Sequence, residues 1–307
     1  MNNYINLHIG MVGCGNWGRF ILRDLKEIGV RISVFARSEA SQKNAIAYGA
    51  DFIVDSIEAL DKNIDGYIIA SSASSHIENI LSLMPRRKPI FTEKPLGIHF
   101  NEVNELAPSF KGLVFIMHKW RYHPGVEALA ALVKSKELGR VSGLRLQRTN
   151  WGRQHDDVDC ALHLLPHDLS ITLQILGYLP PVDLVIKNPL GDSHFGLFAT
   201  LMDQNQHIHV TLDVNNIAPG NVRSVAVGFE NGVAALTDSY AEGLTVCRYG
   251  MPPEVRSISQ EFPLMRQLKS FLEYLHGGPP PLSSIEEELL IQHRIHSIRE
   301  KLYGVLK

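Results

Sequence analysis

"INLHIGMVGCGNWG", residues 5–18, is the stretch that decides the fold. Residues 5–12 form a short apolar run of the kind that makes a buried strand, and the run ends in glycines at 13, 15 and 18. That spacing fits G-x-G-x-x-G, in which the first glycine allows a tight bend, the second lets backbone approach a pyrophosphate and the third lets a helix pack closely on the strand. Such a match is weak by itself, so the residues that follow matter. Ile21, Leu25 and Ile28 recur at helical spacing, and Gly29 stands where a helix ends. Strand, glycine turn and helix occur in the order a dinucleotide site needs. Gly13, Gly15, Asn16, Trp17 and Gly18 are therefore candidate cofactor contacts.

Outward from this stretch the pattern repeats. "VRISVFA", "DFIVD", "DGYIIAS", "KPIFTE" and "GLVFIMH" read as strands, separated by helical segments such as "SQKNAIAYG", "SHIENILSLM" and "NEVNELAPS". Alternating strands and helices predict a parallel, doubly wound sheet, whose ligands sit beyond the carboxyl ends of its strands. We expect this α/β Rossmann domain to span residues 1–120. The end of its second strand bears on cofactor choice, because an acid there holds a ribose 2′-hydroxyl whereas an arginine accommodates a 2′-phosphate. The chain reads "VFARSEA" at 34–40, with Ala36 where the acid would stand. Arg37 and Ser38 thus favour NADP(H), with NAD(H) possible; the competing reading is a solvated arginine before a helix capped by Ser38.

After residue 120 the alternation stops. One helix over 125–137 is followed by period-two runs, "GLRLQRTNW", "FGLFATLM", "HIHVTLDV", "SVAVGFE" and "VAALT", with reversals at "MDQNQH" and "ENGV". These predict a second, α+β domain over 121–307 with an open, mostly antiparallel sheet. In the tail, Ser284 and Glu287 form a capping box, and Ile291, Ile295, Ile298 and Leu302 form a stripe that should pack back on the body; His293 and His296 read as solvated.

"FTEKP", residues 91–95, puts Glu93 and Lys94 at the end of a buried strand and then fixes the chain with Pro95, through a cis bond in one reading. A lysine at such a strand end is either a surface residue or a proton donor and acceptor for a carbonyl/alcohol pair. With "GMVGCGNWG" (10–18), "IIASSASSH" (68–76) and "HKWRYHP" (118–124), this segment resembles the glucose–fructose oxidoreductase/inositol dehydrogenase family, Gfo/Idh/MocA, over essentially the whole chain. The resemblance implies an NAD(P)-dependent oxidoreductase acting on an alcohol or ketone of a sugar or sugar-derived compound, nucleotide sugars included. It places Lys94 beside nicotinamide and substrate, Ser71, His76 and Glu93 near the cofactor, and Arg121 and Tyr122 on the substrate. It also implies assembly as a homodimer or homotetramer through the second domain's sheet.

Relatives carry Asp-x-x-x-His within the segment that here reads "DVDCALHLLPHDLSITLQILG" (157–177); this chain keeps His167 but has His163 at the aspartate position. His167 is the expected acid/base, with His163 beside it as a catalytic and substrate contact of altered type. Histidines satisfied by ordinary hydrogen bonds are the alternative. Metal is not expected, since two imidazoles without a third ligand make a poor zinc site, and Pro166 would start or kink the helix between them. Trp151, with Arg153, His155 and Asp156, lines a sugar site or forms a solvated turn. Because the family includes a dinucleotide-binding co-repressor, a cofactor-responsive regulator is a rival function, as is an imine or other non-sugar reductase.

Bulk properties exclude other classes. Thirty Lys and Arg against 32 Asp and Glu, without blocks of either, lack the basic footprint of a nucleic-acid binder. No apolar run reaches the roughly 20 residues that span a bilayer, and the N-terminus lacks a signal-peptide pattern, so no membrane partner is expected. Three widely spaced cysteines indicate no disulfide framework and a reducing, cytoplasmic setting.

Overall fold

The computed structural model describes residue 4 and residues 6–152, 158–188 and 195–304. The chain divides into two units, Met1–Lys119 with Phe262–Leu289, and Trp120–Glu261 with Leu290–Lys307.

In the first unit, strands β1 (His8–Val12), β2 (Arg31–Phe35), β3 (Phe52–Val54), β4 (Gly66–Ile69), β5 (Ile90–Thr92) and β6 (Val114–Ile116) form one sheet in the order β3-β2-β1-β4-β5-β6. Every pairing in it is parallel. Chain order reverses between β1 and β4, which opens a crevice beyond their carboxyl ends. Helices α1 (Gly18–Ile28), α2 (Glu39–Ala47), α3 (His76–Leu83) and α4 (Phe100–Leu106) connect the strands. β1 and β4 are buried along their whole length, as strands covered on both faces must be.

Two cores flank this sheet. One gathers Ile9, Met11, Ile21, Leu25 and Phe91; the other gathers Ile69, Ile80, Ile90, Val103 and Ile116. Helix α7 (Pro263–Leu275) completes the first core with Leu264, Leu268, Phe271 and Leu272. Phe271 stacks on Phe91 at 5.0 Å, and a side chain at Gly66 would meet Phe271 and Leu275 at 3.0 Å. Residues 262–289, expected in the second domain, thus belong to the first. An amphipathic helix encodes a buried face, but not which sheet will bury it.

The second unit is built on an eight-stranded sheet. Its strands are β7 (Val141–Trp151), β8 (Val182–Lys187), β9 (Gly196–Asp203), β10 (Ile208–Asn215), β11 (Ile217–Phe229), β12 (Gly232–Leu236), β13 (Gly243–Arg248) and β14 (Glu254–Ser257), in the order β14-β13-β12-β11-β7-β10-β9-β8. All pairings are antiparallel except the central β7–β10 pair. Helices α5 (Pro124–Ser135), α6 (Cys160–Leu176) and the later part of α8 (Ile285–Tyr303) supply the rest of its core, including Leu129, Leu165, Ile291, Ile295, Ile298 and Leu302. The expected stripe therefore packs in this unit, and the expected box is present: Ser284 N donates to Glu287 Oε2 at 3.1 Å and Glu287 N to Ser284 Oγ at 3.3 Å. His296, expected to be solvated, is half-buried with Nε2 3.4 Å from Glu300. Opposite the helices, register places Leu184 and Ile186 beside Thr200 and Phe198 on a face where both aliphatic side chains are 49% exposed.

Candidate functional site

The glycine turn meets the geometric demands of a dinucleotide cradle. Gly13 has φ +88°, and a Cβ there would lie 2.8 Å from the backbone of Ser71 at the end of β4. A Cβ at Gly18 would be 3.0 Å from the Gly13 carbonyl oxygen and 3.2 Å from Met11 Cε, so helix and strand pack closely. At Gly15 a Cβ would have nothing within 4 Å, which leaves open space beside the backbone. No side chain caps α1, and its first turn has no acidic residue, so its amide end favours an anion. These features fit a pyrophosphate.

Beyond β2, Ala36 is buried in the core while Arg37 and Ser38 are exposed. Arg37, not Ala36, is thus the first residue to present a side chain past this strand. Ser38 caps α2: its Oγ accepts from Ser41 N at 3.2 Å, which leaves the hydroxyl proton to donate elsewhere. Ser41 and Asn44, which no sequence motif singled out, bond to Cys14 in the turn.

Lys94 lies two residues past the end of β5, and the Lys94–Pro95 bond is cis. The segment around it is held from several sides. Trp17 Nε1 donates to Glu93 Oε1 at 2.6 Å, and Lys94 N donates to Glu93 Oε2 at 3.2 Å. Lys119 Nζ lies 4.1 Å from the centre of the Trp17 ring, a cation on its π face. His76 is buried, with Nδ1 2.7 Å from the Pro95 carbonyl oxygen and Nε2 3.2 Å from that of Ser71. Burial holds this imidazole below its ordinary range, although both carbonyls favour the charged form. Its ring ties the β4 loop to the lysine segment as a strut. Ser71 Oγ accepts in turn from Ser75 Oγ at 2.9 Å and Asn79 Nδ2 at 3.0 Å.

A buried acid supports the same segment. Glu288, at the start of α8, lies 2.7 Å through Oε2 from His118 Nε2 and accepts from Leu96 N at 3.5 Å through Oε1. Both side chains of the pair are fully buried. The glycine turn, the β4 loop and Lys94 thus form one bonded assembly inside the first unit.

In the second unit, His163 and His167 lie on one helix, α6, both half-buried. Pro166 sits inside that helix without ending it, and the helix starts instead at Asp159, whose side chain accepts from Leu162 N. Asp168 pairs with Arg148 of β7 at 2.7 Å, and the Arg148 guanidinium lies 4.5 Å over the Trp120 ring. Burial pushes the Asp168 carboxyl up, against the pull of Arg148. Among the described residues, Asp168 Oδ2, Asn150 Nδ2 and Asn216 Oδ1 are buried without hydrogen-bond partners. Arg121 and Tyr122 are also buried, with Arg121 Nε donating to Gln174 Oε1 at 3.0 Å, whereas Trp151 is 70% exposed. Arg153, His155 and Asp156 lie outside the described residues. Among the described residues, no group of three His, Cys, Asp or Glu side chains is placed to hold a metal, and no helix is long and apolar enough to cross a membrane.

Residues 7–113 match the model of the Gfo/Idh/MocA family, described as an oxidoreductase family with an NAD-binding Rossmann fold. The match covers the glycine turn, strands β1 to β5 and Lys94. It is 26% identical over 263 residues to inositol 2-dehydrogenase of Burkholderia vietnamiensis, covering 78% of this chain and 77% of that protein. Among solved structures, the chain superposes on UDP-N-acetylglucosamine 3-dehydrogenase GnnA of Acidithiobacillus ferrooxidans with a TM-score of 0.84, at 20% identity over 96% of this chain and 97% of that one. It superposes on KijD10 of Actinomadura kijaniata, a 3-ketoreductase in complex with TDP-benzene and NADP, with a TM-score of 0.81, at 15% identity over 95% and 96%. The two superpositions are likenesses of fold. They extend over both units of the chain.

Proposed function

We propose that the protein is an NADP(H)-preferring oxidoreductase that interconverts an alcohol and a ketone on a sugar or sugar-derived substrate. The observation that carries this reading is the 2.6 Å bond from Trp17 in the glycine turn to Glu93 beside Lys94, which couples a dinucleotide cradle to a lysine within one unit. When bound, the nicotinamide supplies or accepts the hydride. Lys94 holds the reacting oxygen and gives or takes its proton, and His167 shares that proton, with His163 contributing to the same task and to substrate contact. Arg121, Tyr122 and Trp151 complete the proposed substrate contacts. Buried polar atoms of Asp168, Asn150 and Asn216 that lack hydrogen-bond partners suit a hydroxyl-rich ligand. The similarity to inositol 2-dehydrogenase supports the substrate class.

Arg37 and Ser38 support NADP(H) over NAD(H), because an exposed guanidinium and a hydroxyl proton match a 2′-phosphate. The apolar face around Leu184 and Ile186 supports a homodimer or homotetramer formed through that sheet.

Parallel titration with NADPH and NADH, followed by turnover trials on inositols, free sugars and nucleotide sugars, tests the proposal. Lys94→Ala should cut turnover by at least about 100-fold and leave cofactor affinity nearly unchanged; unaltered turnover would remove the lysine from the chemistry. His163 in place of the relatives' aspartate favours a second reading, a dinucleotide-responsive regulator. Turnover in the wild-type protein would dismiss that reading as the sole function, whereas turnover appearing only in His163→Asp would support it.

A further inference from the structure

Two hydrogen bonds converge on one residue of the glycine turn. Cys14 N donates to Ser41 Oγ at 2.9 Å, and the Cys14 carbonyl accepts from Asn44 Nδ2 at 2.9 Å. These groups belong to successive peptides, Gly13–Cys14 and Cys14–Gly15, so α2 fixes two consecutive planes just before the residue with open space at its Cβ. Cys14 itself is fully buried. The buried residues of α2 are Ser41 and Ala45, so a hydroxyl faces inward where a helix normally supplies an apolar contact. Packing alone gives no reason for a serine there.

We infer that Ser41 and Asn44 are positioning residues of the dinucleotide site, holding the turn in the one orientation that presents its backbone to the pyrophosphate. The inference rests on the cofactor reading above. Removing either side chain frees the two planes to rotate, so the ligand must then order them on binding. Since α2 also carries its cap Ser38, one short helix braces the turn and borders the residues proposed to face the adenosine 2′-position.

The test is calorimetric titration of wild type, Ser41→Ala, Ser41→Thr and Asn44→Ala with NADPH and with NADH, after thermal melts without ligand have established that each variant is folded. The expected result is a loss of affinity on the order of tenfold for both dinucleotides in Ser41→Ala. Their ratio should stay unchanged, the Ser41→Thr variant should bind within about twofold of wild type, and Asn44→Ala should show a smaller loss of the same kind. Wild-type affinity in both alanine variants would overturn the inference. So would a changed NADPH-to-NADH ratio, which would trace the effect to the Ser38 cap. Should wild type itself bind neither dinucleotide, the cofactor reading falls and takes the inference with it. Should Ser41→Ala not fold, Asn44→Ala decides alone.

Discussion

The Trp17 indole nitrogen donates to the Glu93 carboxylate over 2.6 Å, although 76 residues separate them. Glu93 also accepts from the backbone of Lys94, so one carboxylate serves both the glycine turn and the lysine. Trp17→Phe keeps an aromatic face for Lys119 but loses the donor. We expect a three- to tenfold weaker NADPH affinity, a similar loss in Glu93→Ala and little further loss in the double variant, a coupling of about 1 kcal/mol. A double-mutant cycle by calorimetry measures this, and additive losses would show that the bond is incidental.

Arg37→Ala should weaken NADPH binding by about tenfold or more while leaving NADH nearly untouched, because a charge-assisted bond to phosphate is worth about 1.5–3 kcal/mol. Equal losses for both cofactors would place Arg37 on a part that the two share.

His76 makes stability depend on acid. An unfolded histidine takes up a proton near pH 6.5, whereas burial lowers the value in the folded protein. Its contribution to stability is therefore complete above about pH 6.5 and is lost as the pH falls from there through the folded value. Thermal melts at pH 7.5 and pH 5 should show a larger drop for wild type than for His76→Gln. Equal drops would mean that the strut does not titrate. His8, also lowered by burial, is present in both proteins and cancels in the comparison.

Thiol chemistry offers a test of the open sheet face. Burial pushes the Cys14 thiol up to about 11 and raises that of Cys160, while Cys247 is half-buried on β13. Native protein should therefore react with dithiobis(nitrobenzoate) at Cys247 alone. Register sets Cys247 opposite Val233, itself exposed, so reaction should slow as protein concentration rises if subunits meet there. A rate independent of concentration would argue against that interface.

Much of the first unit was legible because its signals are local. The glycines at 13, 15 and 18, the stripe of α1 and the run ending at Lys94 each lie within a few residues of what they specify. The clamp on Cys14 reaches across 27 and 30 residues, and the His118–Glu288 pair across 170, so neither leaves a periodic trace. Ser41 is legible only as an ill-placed polar residue on the inner face of a helix. In the second unit, the alternation in β9, β10 and β12 marked strands, and the reversals at 203–208 and 229–232 match the observed pairs. β8, β13 and β14 were not read as strands; the residues of β8 and β14 are largely exposed and show little alternation, and β13 is only six residues long. The parallel β7–β10 pairing reflects how the chain closes, which no single strand encodes.

The return of residues 262–289 to the first unit has a consequence for synthesis. The chain that builds the dinucleotide cradle emerges from the ribosome first, yet Phe91 and its neighbours wait for Phe271, and Leu96 and His118 wait for Glu288. The entire inserted segment, Trp120–Glu261, must be translated before that core can close. A nascent chain stalled in this interval exposes an unfinished apolar surface, the kind of client that holding chaperones bind.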